Sequence, residues 1–124
     1  MSEITHSYDE ESDTLSIAFS PAEKATGIEL TDHIILYINK AARRIVRMTL
    51  LDYSLLVQQT AFGPRTFPLV GLAAVSEDDR EMILDILRSY PVKDMLQVAA
   101  YTPADNQIIP VILVQPMMSV SEAP

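Results

Sequence analysis

Asp9, Glu11 and Asp13 stand at alternate positions, the spacing with which carboxylates open a calcium-binding loop. Such a loop also needs a glycine at its sixth position and a glutamate at its twelfth. Counted from Asp9 those places hold Thr14 and Ser20, so the acidic run reads as a solvated hairpin turn and no metal site is expected. His6 and His33 are the only imidazoles, whereas a catalytic zinc usually takes three protein ligands, often two from one helical turn. Both lie in predicted strands, where a histidine has an ordinary place on the surface or against the sheet. Asp32 beside His33 could pair an orienting carboxylate with a base, but sequence neighbours on a strand point to opposite faces. Asp52, Tyr53 and Ser54 close an apolar strand as a polar cluster, which reads as a plain strand terminus.

Other chemistries lack their parts. There is no cysteine, no Gly-x-Ser-x-Gly elbow to activate a serine, and too little glycine for a phosphate-cradling loop. No catalytic residue and no cofactor are therefore expected. Lys40, Arg43, Arg44 and Arg47 form one basic patch on an otherwise acidic chain. Such a cluster can grip a carboxylate, a phosphate or an acidic partner, so these four are the expected recognition residues. The plainer alternative is a solvated turn.

The elements that must hold these residues are mostly short strands. Leu15, Ile17 and Phe19 alternate with Ser16 and Ala18 at the period of two that buries one face, so Thr14 to Phe19 is a strand, paired with Ile4 to Tyr8. Ile28 to Leu30, Ile34 to Ile38 and Ile45 to Leu51 follow, the last two as a hairpin around Asn39 to Arg44. Val46, Met48 and Leu50 are expected to share one face, with Arg47 and Thr49 on the other. Residues 61–75, punctuated by Gly63-Pro64, Pro68 and Gly71, read as a connector crossing the surface. Ser76 then caps a helix over about 77–89, with Glu77, Asp78 and Asp79 at its positive end, a stripe of Met82, Ile83, Ile86 and Leu87, and Pro91 as a stop. Val98 to Thr102 and Gln107 to Val114 form a terminal hairpin around Pro103 to Asn106, and residues 116–124 are expected to fray.

At 124 residues the chain has the length of a single domain, and 48% apolar with 21% charged residues is an ordinary globular composition. The fold class is α+β, mainly a meander of antiparallel strands with one principal helix and a C-terminal β-hairpin. A net charge of -8 repels phosphate, which argues against nucleic acid as the main partner. Residues 1–6 show neither a basic nor an apolar region, and no apolar run reaches the ~20 residues of a membrane span, so a cytoplasmic location without membrane association is expected. Ile34 to Ile38 and Ile108 to Val114 are apolar on both faces, and Pro110 favours an edge or bulge for its strand. A second copy covering these faces, as a homodimer or higher homo-oligomer, is the expected arrangement, the alternative being that residues 61–75 fold over them.

One stretch, Tyr8 to Ser54, resembles the DUF2283 family, small bacterial domains of unknown function. The likeness rests on Tyr8-Asp9, Asp13-Thr14-Leu15-Ser16-Ile17-Ala18-Phe19, Asp32 with Ile34 and Leu36, Arg44-Ile45-Val46, and Leu50-Leu51-Asp52-Tyr53-Ser54. It implies an antiparallel β-rich module. Where family members carry an acidic, glycine-containing turn and a later glycine and glutamate, this chain has Asn39 to Arg43 and Arg47-Met48-Thr49. Some members are encoded beside toxin-like genes, so the resemblance implies an antitoxin-like binding role.

Two functional readings follow. The first is a non-enzymatic, oligomeric module that binds a protein partner, with acidity that would speed encounter with a basic one. The second is a small hydrolase or isomerase whose site forms across a subunit interface from Asp32, His33, Tyr53 and Ser54.

Overall fold

In a computed structural model of the chain, residues 4–20 and 23–116 are described. Five strands, β1 (Thr5–Asp9), β2 (Thr14–Ala18), β3 (Thr26–Thr31), β4 (Ile34–Asn39) and β5 (Arg44–Leu51), form one antiparallel sheet in the order β1-β2-β5-β4-β3. Alternation decides which face turns inward. Leu15 and Ile17 of β2, Leu36 and Ile38 of β4, and Met48 and Leu50 of β5 are all at most 1% exposed. Ser16, Thr49, Ile35 and Glu29 lie opposite one another on the outer face.

Beyond the sheet come a single helical turn α1 (Tyr53–Leu56), the two-residue strands β6 (Gln59–Thr60), β7 (Gly63–Pro64) and β8 (Phe67–Pro68), and a 3-10 turn over Val70–Ala74. Helix α2 (Glu77–Leu87) follows, then strands β9 (Leu96–Tyr101) and β10 (Ile109–Val114), which with β8 make a second sheet in the order β8-β10-β9. Met82, Ile83, Ile86 and Leu87 bury the inner stripe of α2, and one contiguous core joins them to the five-stranded sheet and to Leu96, Ile112 and Val114. Antiparallel strands dominate, with one main helix: an α+β fold. Among the described residues no helix is long and apolar enough to cross a membrane.

The helix starts where its sequence says it should. Ser76 stays extended and its hydroxyl accepts the Asp79 N–H at 3.1 Å, satisfying one of the free donors of the first turn. Ser76→Ala is expected to lower unfolding free energy by about 1 kcal/mol in urea titration, with an unchanged slope because the same surface unfolds.

Several expectations need correction. A β-bulge separates Ile38, opposite Ile45, from Tyr37, opposite Arg47, so Val46 is an extra residue. Ile45 therefore takes the place expected for Val46 in the core shared with Met48 and Leu50, while Val46, fully buried, lies outside that cluster and accepts the Phe19 and Ser20 N–H groups at its carbonyl. β10 is also no edge strand: β8 pairs with one side of it and β9 with the other. The connector thus supplies its second neighbour, together with the buried anchors Leu69 and Leu72. On the outer side of β4, where Ile35 and Tyr37 are half-buried, Arg47 lies 4.1 Å above the Tyr37 ring and that ring lies across Gly27. His33 sits with Asp32 in the turn between β3 and β4, where its N–H donates to the Thr31 hydroxyl, and not on a strand. The expected fraying of residues 116–124 falls, from Met117 on, outside the described residues.

Candidate functional site

Three parts of the chain that are distant in sequence meet beside the C-terminal end of α2. The helix stops at Leu87, and Ser89 to Val92 turn the chain back towards the sheet. The bulge brings Ile45 to the same place, with Phe19 at the end of β2 and Ile4 before β1. Together they enclose an open cavity of about 400 Å³. Its floor is apolar, from Ile4, Phe19, Ile45, Ile86 and Val92, and its rim carries Arg43, Arg44, Asp85, Ser89 and Tyr90. That volume lies within the range of binding clefts, which are mostly apolar with few polar groups. Tyr90 is 71% exposed on this rim.

The charges at the rim differ in how far they are engaged. Arg44 donates to both Glu23 oxygens, Nε to Oε1 at 3.1 Å and Nη2 to Oε2 at 2.7 Å. This fork, helped by the Asn39 amide, holds the Glu23 carboxyl below the usual carboxylate range. Asp85 stands 3.7 Å from Arg88, one helical turn on. Arg43, held at φ 54 in the turn, has no acidic partner among the described residues.

A second polar cluster lies at the end of β5. Asp13, in the left-handed region at φ 53, accepts the Tyr8 hydroxyl at 2.5 Å, the Ser54 hydroxyl at 3.0 Å and the Ser54 N–H at 3.1 Å. Desolvation pushes its carboxyl up, but these donors together outweigh that and hold it below its ordinary value of 3.8. The same bond to Asp13 raises the Tyr8 hydroxyl above 10.0. Tyr8 meets Tyr53 edge to face at 6.0 Å between ring centres.

These contacts tie the residues of the β1–β2 turn to those that follow β5, two stretches that one family pattern spans. Residues 6–54 match the model of DUF2283, a protein family of unknown function. No curated protein and no solved structure matches the chain. The matched segment runs from within β1 through β5 and stops inside α1, so α2 and the second sheet lie outside it. The cavity is walled from inside and outside the match: Phe19 and Arg43 to Ile45 lie within the matched residues, while Ile4, Asp85, Ile86 and Ser89 to Val92 do not.

Of the four basic residues singled out in the sequence, only Arg43 and Arg44 reach this rim. Lys40 bonds Asp79 of α2 at 3.0 Å, and Arg47 stacks on Tyr37 on the outer face of the sheet. The acidic run divides as well. Asp9 accepts the Ser12 hydroxyl at 2.7 Å within its turn, while Asp13 turns to Tyr8 and Ser54. His33 Nδ1 lies 3.0 Å from Asp52 Oδ2, without the alignment of a hydrogen bond, and its ring packs edge-on against Phe67 at 5.8 Å. The apolar floor left no mark in the sequence, because Ile45, Ile86 and Val92 do not differ in type from ordinary core residues. The one usable sign was Ser89-Tyr90-Pro91, an aromatic placed where a helix must stop.

Proposed function

We propose that this protein is a non-enzymatic interaction module that receives an apolar side chain of a protein partner in the cavity at the end of α2. The observation that carries the reading is the apolar floor beneath Arg43, a guanidinium with no acidic partner among the described residues. A buried aromatic or aliphatic anchor would fill the floor, and a backbone carbonyl or carboxylate beside it would meet Arg43. The rival reading, a hydrolase or isomerase using Asp32, His33, Tyr53 and Ser54, has less support. The Ser54 hydroxyl donates to Asp13, His33 faces Asp52 and Phe67, and Tyr53 is fully buried.

Two small probes test the cavity. N-acetylphenylalaninamide imitates an anchor within a chain, and N-acetylphenylalanine imitates one at a C-terminus. Both are expected to bind with dissociation constants of about 1–10 mM, in keeping with roughly -4 kcal/mol or less for a fragment. In amide NMR the shifts should cluster at residues 43–45 and 85–92, and Arg43→Glu should weaken the acid more than the amide. Saturating probe that moves no resonance of these segments would end the proposal.

A further inference from the structure

Phe62 stands at the tip of the β6–β7 hairpin and is 100% exposed. Its neighbours hold it there. The Thr60 hydroxyl accepts the Phe62 N–H at 3.1 Å and donates to the Gly63 carbonyl at 2.8 Å. Arg65 Nε donates to Gln58 Oε1 at 2.8 Å between the two legs. Gly63 closes the turn at φ 116, which a residue with a side chain resists. A preformed tip with one large aromatic ring loses little freedom on docking, and aromatic side chains dominate the centres of protein interfaces.

Charge points to the occupant. Residues 57–75 contain a single charged side chain, Arg65, in a chain of net charge -8. This protruding hairpin therefore carries no charge that an acidic body would repel, and another copy of the chain is such a body. That copy also carries a fitting receptor: the cavity of about 400 Å³ has room for a phenyl ring, and Asp85 on its rim is 69% exposed. Building on the cavity reading, we infer that Phe62 of one copy seats in the cavity of a second copy, with Arg65 facing Asp85.

Knob and hole lie on different parts of the surface, because the ring at the tip is fully in solvent and touches none of its own cavity. Two copies can then seat their knobs reciprocally about a two-fold axis, or the contact runs head to tail and closes into a ring or extends into a chain of subunits. One aromatic anchor makes a small interface, so assembly should be weak and rise with concentration.

Analytical ultracentrifugation over a wide range of protein concentration tests this with two variants. Phe62→Asp removes the knob at an exposed turn, and Ser89→Trp fills the mouth of the hole from an exposed position. Each alone should associate at least about tenfold more weakly than the natural chain. Mixed, they should form a one-to-one pair and nothing larger, since only one hole and one knob remain. Exchanging the charges, Arg65→Glu with Asp85→Lys, should restore association that either change alone weakens, which covers the case of Ser89→Trp failing to fold. Association unaffected by Phe62→Asp, or a mixture that stays monomeric, overturns the inference. A natural chain that stays monomeric while N-acetylphenylalaninamide still binds residues 43–45 and 85–92 also overturns it, leaving the cavity with a different protein partner. If the probe fails as well, the cavity reading falls with it.

Discussion

Gly71→Ala is expected to cost about 3 kcal/mol and to lower the melting temperature by roughly 10 °C, because the new methyl group has nowhere to go. A Cβ at this position would stand 1.8 Å from the Glu29 carbonyl oxygen, 2.8 Å from its carbon and 3.0 Å from the Leu30 Cα. All three are backbone atoms of β3, an edge strand of the five-stranded sheet, so no side chain can swing aside to make room. The 3-10 turn over Val70–Ala74 would have to lift, pulling Leu69 and Leu72 out of the core. Gly63 and Gly27 serve as controls. At Gly63 nothing lies within 4 Å, so alanine there should cost only the roughly 1–2 kcal/mol of a left-handed backbone. At Gly27 the nearest atom, 3.2 Å away, belongs to the movable ring of Tyr37. Thermal unfolding by circular dichroism ranks the three. A Gly71→Ala protein as stable as the natural one would mean that the connector does not rest on β3 in this way.

What the sequence disclosed about the fold follows from which physical signals are local. Leu15, Ile17 and Phe19 alternate because one face of β2 is buried, and Ser76 announces α2 because a free N–H needs an acceptor within the same turn. The bulge beside Val46 left no such sign, since Ile45 and Val46 are both apolar and either could have faced the core. Pro110 pointed the wrong way for a specific reason. Its missing N–H excludes it as a ladder donor, yet β8 pairs with Val111 and Ile112, beyond it, and Pro110 contributes only its carbonyl, which accepts the Leu69 N–H at 3.0 Å. A strand as short as Phe67–Pro68 has no period to detect, so the neighbour that makes β10 a central strand was invisible.

The candidate site was less legible still, because its floor is assembled from residues about 90 positions apart that each resemble plain core. Charge gave a hint to the rim, and half of it was absorbed elsewhere: Lys40 fastens the β4–β5 turn to the first turn of α2, and Arg47 covers Tyr37. Asp13 shows the same limit. The sequence marks it as one acid among several, whereas its left-handed backbone aims the carboxylate away from the others and onto Tyr8 and Ser54.

Asp13→Ala is expected to destabilise the protein by about 2 kcal/mol, or roughly 8 °C, since it removes the charged acceptor of three hydrogen bonds, one of them from half-buried Tyr8, and places alanine at φ 53. Asp13→Asn should keep more stability than alanine, because asparagine tolerates φ 53 and retains a carbonyl oxygen, but it loses the charge. Acid titration separates the parts. The folded-state pKa of Asp13 is lowered from 3.8, so the carboxylate contributes stability in full well above pH 3.8 and loses it as pH falls through the depressed value. Tyr8 has the opposite sign: its pKa is raised from 10.0, so its share is intact below pH 10 and is lost as pH rises through the higher value. The natural protein should therefore be most stable between these limits, with an acid limb that is shallower in Asp13→Asn. A remnant of that limb should persist through Glu23, whose carboxyl is also held low, by Arg44. Urea midpoints measured between pH 2.5 and 7 decide the matter. Parallel curves for the natural protein and Asp13→Asn would show that the carboxylate is not what joins the first hairpin to the end of β5.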